Sequence, residues 1–209
     1  MSLLNGKYAK YDLPLRFMAM GVYPYFRCIE SEQDTEVLMS GKKVLMFGSN
    51  SYLGLTNHPK IKEAAIEATK KYGSGCAGSR CGDGTVDIHL QLENERAQFV
   101  GKDEALVYST GFQVNLGVLS CITGRKDTII CDELDHASIV DGRRLSFSTV
   151  RKFRHNDMEG LEKELQACDP ATIKMIVVDG VFSMEGDIAN LPGIVRLKKK
   201  YNASIFVDE

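Results

Sequence analysis

The chain has 209 residues, of which 44% are hydrophobic and 26% charged, a balance typical of an ordinary globular domain. Its formal net charge of −2 argues against a nucleic-acid partner, and no apolar run approaches the roughly 20 residues that span a bilayer. The six cysteines form no Cys-x-x-Cys pair, so we expect reduced thiols and no metal site. Together these features predict a cytoplasmic protein without a transmembrane segment, which leaves peripheral association with the inner membrane open.

The first part of the chain lacks strong periodicity. Residues 1–45 are predicted to form an N-terminal arm with a hairpin-like turn at Ser40-Gly41. Pro59 is then placed to begin a helix whose periodic pattern covers Ile61–Tyr72, and Gly73 is suited to end that helix. Thr85 is predicted to cap the next helix, which continues to about Val100.

Strand and helix signals alternate through the rest of the chain. Short apolar runs predict strands at Ala105–Tyr108, Thr128–Cys131, Thr149–Phe153, Met175–Val178 and Ile205–Val207. Helical patterns follow, with helices predicted at Ala137–Leu145, Met158–Ala167 and Leu191–Tyr201 and with Asn156 as the cap of the second of these. This alternation predicts an α/β fold with a mostly parallel sheet and helices on both faces.

The segment DELDHASIVDG, residues 132–142, places a histidine between a predicted strand and a predicted helix. Open α/β sheets bind their ligands outside the carboxyl ends of the strands, where His136 would lie. Taken alone, His136 could be a general base, a metal ligand or a packed core residue. Ser183 and Asp208 also follow predicted strands, so we expect them at the same edge of the sheet.

A candidate phosphate site lies in the segment from Ser109 to Gln113, between a predicted strand and a predicted helix. The free backbone N–H groups of Gly111 and Phe112 would face an anion there, aided by the helix dipole. An ordinary capped helix is the alternative interpretation of this segment.

These groups together suit a flat, phosphorylated nitrogen heterocycle. His136 offers a stacking face, and a carboxylate such as Asp208 would keep a pyridine nitrogen protonated. A protonated pyridine ring draws electrons from the substrate bound to it, which is the property that pyridoxal phosphate chemistry uses. The alternative for Asp208 is an ordinary surface residue at the end of a strand.

The sequence resembles the α-oxoamine synthases, which are fold-type-I pyridoxal phosphate enzymes. The resemblance rests on seven motifs in family order: GSNSYLGL (48–55), GSGCAGSR (73–80), GTVDIHLQLE (84–93), STGFQVNLG (109–117), DELDHASIVDG (132–142), DGVFSMEGD (179–187) and SIFVDE (204–209). It implies that residues 46–209 are the N-terminal part of the cofactor-binding large domain.

The resemblance assigns a role to each matching residue. Gly111 and Phe112 would bind the cofactor phosphate through their N–H groups, and His136 would stack on the pyridine ring and touch the substrate carboxylate. Ser183 would hydrogen-bond to the ring hydroxyl, and Asp208 would pair with the ring nitrogen. The implied catalytic residues are His136 and Asp208.

The family joins an amino acid to an acyl-coenzyme A with loss of carbon dioxide. The motifs are most similar in sequence to those of bacterial members that use L-serine and palmitoyl-coenzyme A to make a 3-keto sphingoid base. Members that form 8-amino-7-oxononanoate or 2-amino-3-ketobutyrate are the alternatives. Family active sites lie at a homodimer interface, so Asn50 would reach the amino acid from the partner subunit. On turn chemistry alone, Asn50 is equally a turn residue before Tyr52.

The chain ends at Asp208-Glu209, before the position at which the family carries its catalytic lysine. We therefore expect the front half of an enzyme. A non-catalytic fragment that binds the cofactor weakly or not at all is the alternative from a different functional class.

Overall fold

The computed structural model describes residues 2–209, which form two compact units that divide between Thr85 and Val86. The first unit contains α1 (Leu3–Tyr8), α2 (Leu13–Ala19), β1 (Glu36–Met39), β2 (Lys42–Leu45) and α3 (Pro59–Tyr72). The division of the chain into an arm (1–45) and a large domain (46–209) stays a prediction.

The strands β1 and β2 form an antiparallel hairpin in the first unit. Its turn residues Ser40 and Gly41 both have positive φ angles, of 52° and 71°. Such a pair of left-handed residues matches the twist of a two-residue hairpin, so the turn predicted from the sequence is confirmed. Pro59 begins α3, and Gly73 follows its end with φ of 83°, which confirms both predicted boundaries of this helix.

The second unit contains the main sheet and the helices around it. In chain order its elements are α4 (Asp87–Val100), α5 (Gly111–Ile122), β3 (Thr128–Asp132), α6 (Ala137–Ser146), β4 (Thr149–Phe153), α7 (Met158–Gln166), β5 (Lys174–Asp179), α8 (Leu191–Tyr201) and β6 (Ser204–Asp208). None of the helices described between residues 2 and 209 is both long and apolar enough to cross a membrane.

The four strands of the second unit are parallel and lie in the order β4-β3-β5-β6. All residues of β3 and β5 are buried, as expected for central strands covered on both faces. Ile130 and Ile176 pack on one face with α7 and α8, whereas Ile129 and Met175 pack on the other with residues of α5 and α6. The predicted fold class, a parallel sheet with helices on both faces, is confirmed.

Helices α5 and α6 pack closely against each other because Gly142 lies at their crossing. A Cβ atom at Gly142 would lie 2.5 Å from the backbone oxygen of Asn115 and 3.0 Å from its carbonyl carbon. Real side chains do not approach a backbone so closely, so the absence of a side chain at Gly142 sets the separation of the two helices.

Two sequence predictions, one for the segment before α5 and one for the start of α4, are wrong. The segment Ala105–Tyr108 is not a strand, and the backbone N–H of Val107 donates to Glu93 Oε1 at 2.9 Å instead of to a neighbouring strand. Thr85 does not cap α4, because its hydroxyl donates to the backbone oxygen of Arg80 at 2.7 Å.

The predicted cap of α7 is displaced by one residue. Asp157, not Asn156, is the N-cap, and its Oδ1 accepts from the N–H of Gly160 at 3.0 Å. Asn156 precedes the cap with φ of 53°, a left-handed conformation that asparagine tolerates better than most residues. Both residues are common cap formers, so the sequence located the start of the helix but not its cap.

Candidate functional site

Aspartates gather where the parallel strands of the second unit end. Asp132, Asp179 and Asp208 are the last residues of β3, β5 and β6, and the register pairs Asp179 directly with Asp208. His136 follows β3 as the N-cap of α6. The structure therefore brings His136 and Asp208 to one edge of the sheet, as the sequence predicts.

His136 is fixed at its backbone and at its ring. Its backbone N–H donates to Asp179 Oδ2 at 3.0 Å, and its ring Nδ1 lies 2.7 Å from the hydroxyl oxygen of Ser138. The ring is exposed, which contradicts the packed-core interpretation. Phe112 approaches it edge-on, with 6.4 Å between ring centroids and 80° between ring planes, so the two predicted site residues are neighbours.

Asp208 is held by Asn115, a residue that the sequence did not single out. Asn115 is 1% exposed and projects from α5, and its Nδ2 donates to Asp208 Oδ2 at 2.7 Å and to the Ser138 hydroxyl at 2.8 Å. Asp208 is half-buried, so it is not an ordinary surface residue. The sequence signal for Asn115 was a polar amide within the apolar stretch of α5. A buried amide side chain indicates nearby hydrogen-bond partners, because buried polar groups are almost always hydrogen-bonded.

Asp135 is a second buried residue whose importance the sequence did not reveal. Its Oδ1 accepts from the backbone N–H of Asp179 at 3.2 Å, and its Oδ2 has no partner within residues 2–209. Burial, followed by the nearby charges of Asp179 and Asp132, raises the pKa of Asp135 to about 8. Burial, followed by the charge of Asp208, also raises the pKa of Asp179. Asp135 is therefore a neutral carboxylic acid at neutral pH.

The amino end of α5 offers free donors beside open space. Thr110 caps the helix, with its hydroxyl accepting from the N–H of Gln113 at 3.2 Å. The first intrahelical bond runs from the N–H of Val114, so the N–H groups of Gly111 and Phe112 precede the hydrogen-bonded ladder. A Cβ atom at Gly111 would meet no atom within 4 Å. This combination suits an anion bound by backbone donors.

Ser183 lies on a tight, exposed turn after β5. The turn is closed by a bond from the N–H of Phe182 to the backbone oxygen of Asp187 at 2.9 Å. His155 ties the turn to the sheet, because its Nε2 lies 2.8 Å from Asp187 Oδ2 and its Nδ1 lies 3.1 Å from Asp132 Oδ1. The hydrogen bond with Asp187, reinforced by Asp132, raises the pKa of His155. Ser183 is thus held on the carboxyl side of the sheet.

Asn50 belongs to the first unit. It is exposed, and its backbone oxygen accepts from the N–H of Tyr52 at 2.9 Å. That bond is the turn chemistry expected before Tyr52. The suggested contact of Asn50 with a substrate in a partner subunit stays a prediction.

Comparison with known proteins gives consistent results. The family model described as aminotransferase class I and II matches residues 42–209. A serine palmitoyltransferase of Bacteroides thetaiotaomicron is 68% identical over all 209 residues, which cover 53% of that relative. An 8-amino-7-oxononanoate synthase of Thermoanaerobacter pseudethanolicus is 46% identical over 190 residues, 90% of this chain and 48% of that protein.

Solved structures agree with these relatives. A serine palmitoyltransferase variant from S. paucimobilis, with a bound PLP–myriocin aldimine, superposes with a TM-score of 0.94 at 34% identity. The match covers 99% of this chain and 52% of that one. The chain thus spans about half the length of the relatives that it matches. The resemblance to α-oxoamine synthases drawn from the sequence motifs is confirmed.

Proposed function

We propose, since the chain belongs to the aminotransferase class I and II family, that it binds pyridoxal phosphate at the carboxyl edge of its sheet and serves a decarboxylative acyl transfer. The observation that carries the proposal is the 68% identity to a serine palmitoyltransferase along the entire 209 residues. The match spans all 209 residues and therefore covers the strand ends and the helix start that form the candidate site.

The donors and acceptors of the site fit pyridoxal phosphate. The N–H groups of Gly111 and Phe112 would hold its phosphate, and the exposed ring of His136 would cover a face of the pyridine. Asn115 occupies one oxygen of Asp208, and the other has no partner within residues 2–209 and would accept from the ring nitrogen. The hydroxyl of Ser183 would meet the ring hydroxyl.

The chain's own residues would control charge in this site. The carboxylate of Asp208 favours a proton on the ring nitrogen, because opposite charges at hydrogen-bonding distance stabilise each other in a half-buried setting. When bound, pyridoxal phosphate supplies an electron sink for negative charge that develops on the substrate. His136 would also donate a hydrogen bond to the carboxylate of the amino acid, and Asn50 of a partner subunit would bound the same pocket.

We propose L-serine and palmitoyl-coenzyme A as substrates, with a 3-keto sphingoid base, coenzyme A and carbon dioxide as products. The support is the higher identity to serine palmitoyltransferases, at 68% and 67%, than to an 8-amino-7-oxononanoate synthase, at 46%. Synthesis of 8-amino-7-oxononanoate is the second candidate, because that relative also matches 90% of the chain. Ligation of the 2-amino-3-ketobutyrate type was the remaining alternative from the motifs.

The test is an assay of coenzyme A release with purified protein, both as residues 1–209 and in the form that its source produces. Serine, alanine and glycine are each paired with palmitoyl-, pimeloyl- and acetyl-coenzyme A. Release with serine and palmitoyl-coenzyme A alone would support the proposal. Preference for alanine with pimeloyl-coenzyme A would favour the second candidate. If both forms bind pyridoxal phosphate but neither releases coenzyme A, the protein is a non-catalytic binding protein.

A Gly111→Ala variant separates cofactor binding from folding. The added methyl meets no atom within 4 Å, so the free energy of unfolding should stay unchanged or rise by up to about 1 kcal/mol. The same methyl would occupy the space beside the free N–H groups, and we expect pyridoxal phosphate to bind about tenfold more weakly through loss of one charge-assisted hydrogen bond. Absorbance titration measures the affinity, with Gly124→Ala as control. Equal affinity in Gly111→Ala and the unmodified protein would argue against this phosphate position.

We further propose that the protein is a cytoplasmic homodimer. Peripheral association of this dimer with the inner membrane would suit a long-chain acyl-coenzyme A substrate. Leu90 and Phe99 on α4 are large apolar side chains that are 52% and 84% exposed, which supports a covered interface. Light scattering should give twice the mass of one chain for the form that its source produces. A single-chain mass at micromolar concentration would contradict the dimer.

A further inference from the structure

We infer that Ser138 and Asn115 are positioning residues that hold His136 as the neutral tautomer protonated on Nε2 and fix the orientation of Asp208. A continuous chain of hydrogen bonds joins the two predicted site residues: Asp208 Oδ2 to Asn115 Nδ2 at 2.7 Å, Asn115 Nδ2 to Ser138 Oγ at 2.8 Å, and Ser138 Oγ to His136 Nδ1 at 2.7 Å. The tautomer follows from these three hydrogen bonds alone, whereas its use in the reaction rests on the proposed function.

The direction of each bond begins with Asp208. An ionised carboxylate only accepts hydrogen bonds, so the amide atom that faces it must be the nitrogen of Asn115 and not its oxygen. An amide nitrogen carries two hydrogens. One goes to Asp208 Oδ2 and the other to the hydroxyl oxygen of Ser138, so both donors of Asn115 are used.

The hydroxyl of Ser138 therefore receives a hydrogen bond from Asn115 and has one proton of its own to donate. Of the two polar atoms that it contacts within residues 2–209, Asn115 Nδ2 is a donor, and only His136 Nδ1 can accept. The backbone N–H of Ser138 points to the same ring nitrogen at 3.3 Å. Two donors directed at Nδ1 require a lone pair there, which leaves the ring proton on Nε2.

The surroundings give this arrangement little freedom. Ser138 and Asn115 are each 1% exposed, and Gly142 lets their helices approach until the two side chains meet. The effect on His136 is that its ring can donate from Nε2 to an anionic group while it remains neutral. The effect on Asp208 is that one oxygen is occupied by the amide and the carboxylate plane is set.

The tautomer can be measured without any cofactor. In 15N-labelled protein of residues 1–209, correlations between the ring nitrogens and the ring carbon-bound hydrogens should give His136 an unprotonated Nδ1 and a protonated Nε2 at pH 7.5. In Ser138→Ala only the longer backbone bond remains, and loss of one hydrogen bond should shift the tautomer ratio about fivefold toward protonated Nδ1. A protonated Nδ1 in the unmodified protein would overturn the inference, even if the variant does not fold.

Ser146→Ala is the matched control, because Ser146 is a buried serine of the same helix whose hydroxyl donates to the backbone oxygen of Arg143. It should leave the His136 spectrum unchanged, and Ser138→Thr should restore the unmodified ratio. A ratio that stays unchanged in folded Ser138→Ala would exclude Ser138 as the determinant.

The link to Asp208 has its own readout. In Asn115→Ala we expect about tenfold weaker binding of pyridoxal phosphate and a change in the pH at which its absorbance titrates, whereas Ser120→Ala in the same helix should change neither. An unchanged titration would overturn the positioning of Asp208. If no form of the protein binds pyridoxal phosphate, the proposed function fails, and the tautomer measurement still decides the role of Ser138.

Discussion

Replacement of Asp135 by asparagine is expected to raise the free energy of unfolding at pH 8 by at most about 6 kcal/mol, at 1.4 kcal/mol for each unit of the difference between a pKa of 3.8 and one of about 8. Asparagine keeps the oxygen that accepts from the N–H of Asp179. It also removes a carboxyl group that must lose its proton while buried beside Asp179 and Asp132. The asparagine side chain thus stays uncharged at every pH, as the protonated form of Asp135 is.

The pH dependence identifies this cause. The pKa of Asp135 is raised from 3.8 to about 8 in the folded state, so between these values the folded protein keeps a proton that the unfolded chain has released. The contribution of Asp135 to stability is therefore full below about pH 4 and is lost as the pH rises toward 8.

Urea unfolding at pH 5, 6, 7 and 8 measures this slope. The slope should be largely absent in Asp135→Asn and retained in Asp103→Asn, which alters an exposed carboxyl group. A variant with the same pH dependence as the unmodified protein would show that Asp135 is ionised throughout.

A Gly142→Ala substitution is expected to destabilise the protein by about 2 to 3 kcal/mol, because overpacking in a closely packed region forces the backbone to move. The new Cβ would meet the backbone of Asn115, which cannot rotate away as a side chain can. The helices α5 and α6 would separate, and the bond between Asn115 and Ser138 would lengthen. Weaker pyridoxal phosphate binding should accompany the loss of stability.

Gly111→Ala is the control for this prediction, since it is also a glycine-to-alanine change in a helix but adds its methyl to open space. Thermal unfolding of both variants should separate them clearly. Equal midpoints would mean that α6 can shift without cost, and the close approach at Gly142 would then have no structural consequence.

The sheet was predictable because its strands are buried on both faces and therefore appear as continuous apolar runs. Thr149–Phe153 and Leu191–Tyr201 match the structure at both ends, and the other predicted strands of the sheet and the helices between them differ by one or two residues. Ala105–Tyr108 has the same composition as a strand but lacks a paired neighbour within residues 2–209. An apolar, β-branched composition alone does not make a strand, because a strand also needs a hydrogen-bonded neighbour.

The positions of Gly111, His136 and Asp208 were predictable because each stands at or beside the start of a helix or the end of a strand. Asn115 and Asp135 were not, because their importance depends on which residues from distant parts of the chain lie beside them. A local pattern can indicate that a helix begins at Gly111. It cannot reveal that an amide four residues later contacts a carboxylate 93 positions away.

Two hydrogen bonds join the end of β5 to the loop before α6, and they have a consequence for the order of folding: the N–H of His136 donates to Asp179, and the N–H of Asp179 donates to Asp135. The two bonds join residues 43 and 44 positions apart, and the bond from Asn115 to Asp208 spans 93. Contacts of such separation form only after the chain between them has closed, which is slow compared with helix formation. The helices can therefore be present before the ligand site exists. In a refolding experiment, recovery of ligand binding should lag behind recovery of the far-ultraviolet signal.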